Sequence, residues 1–190
     1  MAVTFQRVKR IAFALALVLV LAAPACSSDD TSGGAASSVS ATGGITVEEA
    51  KAQYEQLVAP VNCANNELQK VNAAISNSDG SIEADQWHQL QPPLRSLADA
   101  SHDFGIAVRD AEWPSAISAD VERLATTATT YSVILGQAAS AKDAEEFASI
   151  VTSDNFRSAL DGAAAAAGTV RDQLGVVPAS ESDSQGCPSG

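Results

Sequence analysis

The sequence is poor in aromatic and basic residues, and both shortages narrow the classes of function open to it. Only 5% of its 190 residues are aromatic, and 11 Lys and Arg stand against 23 Asp and Glu, a net charge of −12. Nucleic-acid binding needs a basic face for the phosphates, so we expect no nucleic-acid partner. Seven Pro and 12 Gly are too few for a collagen-like or a wholly disordered chain.

The motifs of the common enzyme classes are also missing. The sequence has no CxxC, HExxH or G-x-S-x-G motif and no Gly-rich phosphate loop. An acyl-transfer triad needs a positioned histidine, and the chain has only His88 and His102. We therefore expect a protein that is not an enzyme and that uses no cofactor.

The N-terminus has the three zones of an export signal. A short basic segment precedes an unbroken apolar run of 13 residues, Ile11–Ala23, and small residues then lead to Cys26. Because about 20 apolar residues are needed to span a bilayer as a helix, a permanent transmembrane anchor is not expected. Residues 1–25 are predicted to be a lipoprotein-type signal peptide. Its removal would take away three positive charges and leave a net charge of −15.

Two peptidases could cleave before Cys26. Ala23-Pro24-Ala25 is an A-x-A pattern for ordinary secretion, but with Cys26 it also resembles a lipobox in which Ala23 replaces the commonest residue, Leu. Cysteine parity favours the lipobox, because attaching diacylglycerol and palmitate chains to Cys26 leaves one pair of thiols. Residues 26–45 are then a lipidated cysteine and a flexible linker. The two acyl chains of the diacylglycerol would already anchor the protein to the extracytoplasmic face of the cell membrane.

The rest of the chain has the periodicity of amphipathic helices. From Thr46 onward, apolar residues recur at alternating intervals of three and four, and no segment alternates with a period of two. Four such stripes, joined by short turns, predict an all-α domain over residues 46–175, an up-down-up-down four-helix bundle. The 37 alanines suggest a core that buries little area per residue.

Local signals mark the ends of the predicted bundle and the breaks within it. Thr46 and Glu49 form a capping box at its start, and Gly175 is a C-terminal stop. Pro60 predicts a kink within the first helix. Further signals lie in later helices: a start near Ser81, a short opening helix ended by Pro92-Pro93, a boundary at Trp113-Pro114 and a new cap at Thr152-Ser153-Asp154.

A second pair of cysteines connects the bundle to its tail. Residues 176–190 are polar and aperiodic, but Cys187 lies near their end. Cys63 lies about 26 Å along the first helix, and the residues from Leu174 to Cys187 can span at most ~43 Å. The tail can therefore fold back, and export to an oxidising compartment predicts a Cys63–Cys187 disulfide.

Each histidine follows an aspartate three residues earlier, as Asp85 with His88 and Asp99 with His102. A carboxylate and an imidazole one turn apart can share a metal ion, and helix-bundle di-metal sites use a related Glu-x-x-His motif. However, the other helices offer no acidic ligands at matching depth, and about 21 Å separates the two pairs. We interpret both pairs as surface features and predict no metal site, keeping the four residues only as candidates.

Four short segments resemble a group of small, uncharacterised actinobacterial lipoproteins. They are Ala23–Cys26, Leu57–Asn62, Glu112–Pro114 and Leu174–Pro178. The resemblance implies a location in the cell envelope and a helical fold, and it brings no catalytic residues.

These features favour a membrane-tethered, non-enzymatic binding or interaction module, with an envelope protein or a small ligand as its partner. One alternative is a carrier or sensor of a small apolar molecule, held in a cavity between alanine-rich helices. Metal handling through His88 or His102 is a third hypothesis.

Overall fold

Helices form nearly all of the chain that the structure describes. The computed structural model describes residues 45–77, 82–83, 85–177 and Cys187. The α-helices in this part are α1 Val47–Ile75, α2 Gln91–Asp110, α3 Ser118–Ala139, α4 Ala144–Val151 and α5 Asp154–Leu174. The predicted all-α class is confirmed. The predicted signal peptide, Cys26 and the linker as far as residue 44 lie outside the described residues.

The predicted ends of the helical region are confirmed. The Thr46 hydroxyl accepts a hydrogen bond from the Glu49 amide at 3.3 Å, and the Glu49 carboxylate accepts one from the Thr46 amide at 2.8 Å. The hydrogen bonds that the Glu49 carboxylate accepts from the Thr46 amide and from the Thr46 hydroxyl lower the pKa of Glu49. At the other end, Gly175 has a φ of 63°, the left-handed conformation that glycine adopts without steric cost. Helix α1 runs through Pro60 as one helix.

The start of the second helical segment differs from the prediction. Its first helical residue is Trp87 rather than a residue near Ser81, and the 3-10 helix Trp87–Leu90 precedes α2. Pro92 and Pro93 occupy the first turn of α2, where a missing N–H breaks no helical hydrogen bond. Pro92 and Pro93 therefore set where α2 can begin. The apolar spacing that predicted a helix before them lies in residues that are not α-helical.

The fourth predicted stripe consists of two helices, α4 and α5. Asp143 caps α4 by accepting a hydrogen bond from the Glu146 amide at 2.8 Å. Ser153 caps α5 by accepting one from the Phe156 amide at 3.1 Å. The break that the sequence predicts at Thr152-Ser153-Asp154 is confirmed.

Helix α3 is the centre of the packing. Its interface with α2 is the most extensive, α5 packs on its other side, and α1 packs mainly on α2. Helices α1 and α5 approach each other at few positions. The α2–α3 interface is close because Gly105 lies on it: an added Cβ there would stand 2.6 Å from the Thr129 hydroxyl and 3.0 Å from the Ala125 carbonyl oxygen.

The buried side chains form two clusters along the helices. The first joins the end of α1, the start of α2, the end of α3, α4 and the start of α5, and its bulk comes from Leu68, Leu90, Leu94, Leu97, Tyr131, Leu135, Phe147 and Phe156. The second joins the opposite ends of the long helices, around Tyr54, Phe104, Val108, Val121, Leu124, Val170 and Leu174. Ile45, predicted to belong to the linker, packs against the second cluster.

Candidate functional site

The break between α4 and α5 creates an open groove against α3. The Ser153 hydroxyl holds the break by accepting from the Phe156 amide and donating to the Ile150 carbonyl at 2.7 Å. Residues from the end of α4 and the first nine residues of α5 therefore face the second half of α3. We call this surface the α3–α5 groove. Its lining residues are Thr127, Thr130, Ile134, Gln137, Ser149, Ile150, Ser153, Asn155, Ser158, Ala159 and Gly162.

The α3–α5 groove has a volume of about 630 Å³, within the range of small-molecule sites. Small residues give it depth on the α5 side: an added Cβ at Gly162 would lie 3.8 Å from Cγ2 of Thr127, an ordinary contact. Ile134 and Ile150 are half-buried, so an apolar surface remains available within it.

The polar side chains of the groove fall into two sets, of which the first, Thr127, Thr130 and Ser153, is hydrogen-bonded within the protein. The Thr127 and Thr130 hydroxyls donate to carbonyls one turn earlier in α3, at 3.0 Å to Arg123 and 2.9 Å to Thr126. Their oxygens keep lone pairs that can accept a further hydrogen bond. The second set has no side-chain partner among the described residues: Gln137, Ser149, Asn155 and Ser158.

The groove lining carries no ionisable side chain. Asp161 is exposed beside Gly162 on α5, and the charges beside the rest of the α5 lining, Asp154 and Arg157, pair with each other, with Arg157 Nη1 3.4 Å from the Asp154 carboxylate. Both are exposed, so their field in the groove is screened by water. The groove therefore offers hydrogen bonds and apolar contact without a net charge.

The four metal candidates lie on the surface around the start and middle of α2. His88 belongs to the 3-10 helix and His102 to α2, so the heptad spacing between them does not run through one helix. His102 Nδ1 lies 3.5 Å from Oδ1 of Asp103, its neighbour, rather than from Asp99. No hydrogen bond or ion pair joins Asp85 to His88 within the described residues. Those residues contain no group of three or more His, Cys, Asp or Glu that could hold a metal ion.

His88 and Asp99 do share one shallow groove of about 510 Å³ on the surface of α2. Arg95 lies between them in the lining, together with Gln91, Pro92 and Ser96. A cation next to the Arg95 guanidinium would be repelled, which makes this surface unfavourable for a metal ion. Metal handling remains a prediction that no contact in this region supports.

The structure brings Cys63 and Cys187 together at disulfide distance, with their Cα atoms 5.5 Å apart. Both residues are half-buried, and Cys63 belongs to neither core cluster. Its neighbour Ala64 is buried in the first cluster, so the next side chain along α1 points inwards while Cys63 lies away from the core. The paired cysteines thus connect the C-terminal tail to the outside of α1.

The two tryptophans contribute to packing at opposite ends of the helices. Trp87 stacks at 5.6 Å on Phe147 of α4, and its ring is tilted by 32°. Trp113 packs against the second cluster, and its indole N–H donates to the Val108 carbonyl at 2.7 Å. Both rings are half-buried and cover the ends of the helical layers.

Two tyrosines, Tyr54 and Tyr131, are buried in the core. Burial raises the pKa of Tyr54 to about 12, and the nearby Arg171 charge opposes that shift. Burial also raises the pKa of Tyr131, whose hydroxyl has no hydrogen-bond partner among the described residues. Both rings make edge-on contacts, Tyr54 with Phe104 at 6.1 Å and Tyr131 with Phe156 at 6.3 Å. These hydroxyls lie within the core and away from the groove lining.

Sequence reasoning missed the α3–α5 groove. Its residues are neutral, short and scattered over three helices, and none belongs to a recognised motif. One signal was available: α3 has threonines at 126, 127, 129 and 130. Threonine has a low helix propensity, so a threonine-rich stretch within a helix suggests that these residues have a role other than stabilising the helix.

No protein-family profile, curated protein or solved structure matches the chain. Within the described residues, no helix combines the length and the apolarity needed to cross a membrane.

Proposed function

We propose that the protein is a lipoprotein tethered through Cys26 to the extracytoplasmic face of the cell membrane, where it acts as a non-enzymatic binding module. The observation that carries the proposal is the Cys63–Cys187 pair, because it accounts for two of the three cysteines. The remaining thiol, Cys26, directly follows the predicted cleavage site. A single unpaired cysteine is unusual in an exported protein, and lipidation of Cys26 would account for it.

The proposed location also gives the cysteine pair a chemical reason. Disulfides persist outside the cytoplasm, where the compartment is oxidising. We therefore infer that Cys63 and Cys187 form a disulfide in the mature protein. The resemblance to small actinobacterial lipoproteins supports the same location.

The arrangement of the bundle follows from the two core clusters. The first part of α1 shares a cluster with the last parts of α2 and α5 and with the first part of α3, while the opposite ends share the other cluster. We infer an up-down-up-down bundle of four helical limbs, with α4 and α5 together forming the fourth limb. This arrangement brings the end of α5 near the start of α1, from which the tail can reach Cys63.

A binding role fits the chemistry of the α3–α5 groove. Hydroxyl and amide groups can hold a ligand, whereas a general acid or base needs a group that titrates near the working pH. The groove provides the first set and carries no ionisable side chain. The linker of about 20 residues would let this surface meet partners away from the lipid headgroups.

The anchor can be tested by growing a bacterial host that processes lipoproteins with an alkyne analogue of palmitate. We expect the wild-type protein to carry the label and to sediment with membranes, and the Cys26→Ser variant to lose both properties. Cys187→Ser is the matched control and should keep the label. Label retained by Cys26→Ser, or absent from the wild type, would contradict lipidation at Cys26.

The binding role can be tested with a photo-crosslinking amino acid at Ser158 in the groove, and at His102 on the exposed face of α2 as the control. Irradiation of intact cells should give adducts at position 158 and fewer at position 102. Equal adduct yields at the two positions, or none at either, would contradict a binding surface in the groove.

A further inference from the structure

We propose that the α3–α5 groove binds a neutral saccharide. This inference rests on the proposed function, because it names the ligand class of the same binding surface. The observation that carries it is the combination of a charge-free lining, side-chain amides and hydroxyls without intramolecular partners, and a partly exposed apolar surface.

The polar groups match the needs of sugar hydroxyls. A sugar hydroxyl both donates and accepts, so it is best met by groups that do the same. Gln137 and Asn155 each offer an amide N–H and a carbonyl oxygen, and they lie on opposite walls of the groove, on α3 and α5. Ser149 and Ser158 add hydroxyls that have no other partner among the described residues. Together, these side chains can bond to several hydroxyls of one ring.

The apolar surface matches the C–H face of a sugar ring. Ile134 and Ile150 come from α3 and α4, and Ala159 of α5 is the buried residue of the lining. Covering partly exposed aliphatic surface with a C–H face is favourable in proportion to the area removed from water. An added Cβ at Gly162 would reach only Cγ2 of Thr127, at 3.8 Å, so the glycine leaves this part of the groove unfilled.

The charge distribution points to a neutral ligand. The mature chain has a net charge of −15, so the protein as a whole repels anions. The lining has no Lys or Arg to offset that repulsion, and no Asp or Glu to pair with a cation. A charged ligand would therefore lose hydration in the groove without gaining an ion pair.

The geometry favours a sugar over a peptide. An extended peptide is held chiefly by adding a strand to a sheet edge, and a helical peptide needs a continuous apolar groove. The described part of the chain has no sheet, and Ile134 and Ile150 are the only large apolar side chains in the lining. A compact polyhydroxyl ring fits this mixed lining better than either type of peptide.

The test uses the full mature lipoprotein in a zwitterionic detergent without sugar groups, applied to an array of neutral glycans and their sialylated or sulfated counterparts. We expect binding to at least one neutral glycan, and at least tenfold weaker binding to its charged counterpart. The affinity for that glycan is then measured by titration calorimetry. Absence of binding to every neutral glycan, or a preference for the charged forms, would overturn the inference.

Variants tie the binding to the groove. Gln137→Ala/Asn155→Ala removes two polar partners at exposed positions and should weaken binding about tenfold or more. Gly162→Leu fills the groove and should abolish binding. Gly136→Leu is the control, because no atom lies within 4 Å of an added Cβ there, and its affinity should stay within about twofold. Equal affinity in the wild type and Gln137→Ala/Asn155→Ala would overturn the inference even if Gly162→Leu proved unstable.

The glycan-binding test and the test of the lipid anchor can fail separately. Loss of glycan binding with palmitate label still on Cys26 would refute the saccharide and leave the anchored module in place. Glycan binding without the label would refute the anchor and leave the ligand class. A peptide or protein adduct at Ser158, with no glycan bound, would assign the groove to a different partner and overturn the inference.

Discussion

Helix α3 meets a glycine on each side, and the two interfaces differ. Against α2, a Cβ added to Gly105 would stand 2.6 Å from the Thr129 hydroxyl and 3.0 Å from the Ala125 carbonyl. Against α5, a Cβ added to Gly162 would stand 3.8 Å from Thr127, its closest neighbour. The first glycine lets two helices pack closely, and the second leaves a space. The same residue type thus lies at a close interface on one side of α3 and lines a groove on the other.

This difference extends to the elements around each interface. Helix α2 is continuous along its contact with α3, whereas the limb facing the other side of α3 is broken between α4 and α5. Helix α5 also has few approaches to α1. The Cys63–Cys187 pair, which we infer to be a disulfide, would supply a covalent link between α1 and Cys187 in the tail beyond α5. We therefore expect α5 to be held by the tail and α2 by packing.

The largest expected effect comes from removing that link in a Cys63→Ser/Cys187→Ser variant. The chain-entropy treatment of a link between residues 124 apart predicts a loss of roughly 4–5 kcal/mol in the free energy of unfolding. Urea titration measures the loss, and hydrogen exchange should show faster opening of α5 amides than of α2 amides. The reduced wild-type protein is the control and should match the variant. An equal increase in the hydrogen-exchange rates of α2 and α5 amides would show that the link does not hold α5 more than α2.

The next effect concerns the close interface. Gly105→Ala should lower the free energy of unfolding by about 1–3 kcal/mol, because the overpacking outweighs the gain in helix propensity. Adding Thr129→Ala should recover part of the loss, because it removes the hydroxyl that stands 2.6 Å from the new Cβ. A double-mutant cycle measured by urea denaturation gives the coupling. Stabilisation by Gly105→Ala alone would show that the α2–α3 interface is not tight.

A third effect follows from the tyrosines next to α5. Burial raises the pKa of Tyr54 to about 12, against an ordinary value of about 10, so the unfolded chain loses this proton first as the pH rises. Stability should therefore fall between pH 10 and 12, by up to about 1.4 kcal/mol per pH unit for this group. Tyr54→Phe should reduce the slope of unfolding free energy against pH. An unchanged slope would place Tyr54 in water rather than in the core.

The smallest effect concerns the open interface. Gly162→Ala should stabilise the protein by about 0.5–1 kcal/mol, because the added methyl group meets only an ordinary contact and the helix gains propensity. Gly136→Ala is the matched control on α3 and should give a similar gain. Thermal unfolding measures both. Destabilisation by Gly162→Ala alone would mean that α5 packs on α3 as closely as α2 does.

Much of the fold could be predicted because local signals and apolar periodicity agree. The Thr46–Glu49 capping box, the Ser153 cap and the Gly175 stop are local, so the sequence specifies them directly. The start near Ser81 was wrong because periodicity cannot tell whether an apolar residue such as Ile82 lies on a helix or in an extended bridge.

The two parts of the candidate site differed in how far they could be predicted. The approach of Cys187 to Cys63 followed from counting cysteines and from the reach of the tail. The α3–α5 groove did not, because it depends on a glycine that is open at 162 and crowded at 105. Both positions are glycine in the sequence, and only the packing of helices that are distant in sequence distinguishes the open position from the crowded one.

The most direct test of the tethered lipoprotein is the intact mass of the protein extracted from membranes without reducing agent. We expect a chain that begins at Cys26, carries a diacylglycerol group and is two hydrogen atoms lighter than the form with both remaining thiols free. A chain recovered without lipid, or one in which Cys63 and Cys187 both accept an alkylating reagent before reduction, would contradict this account.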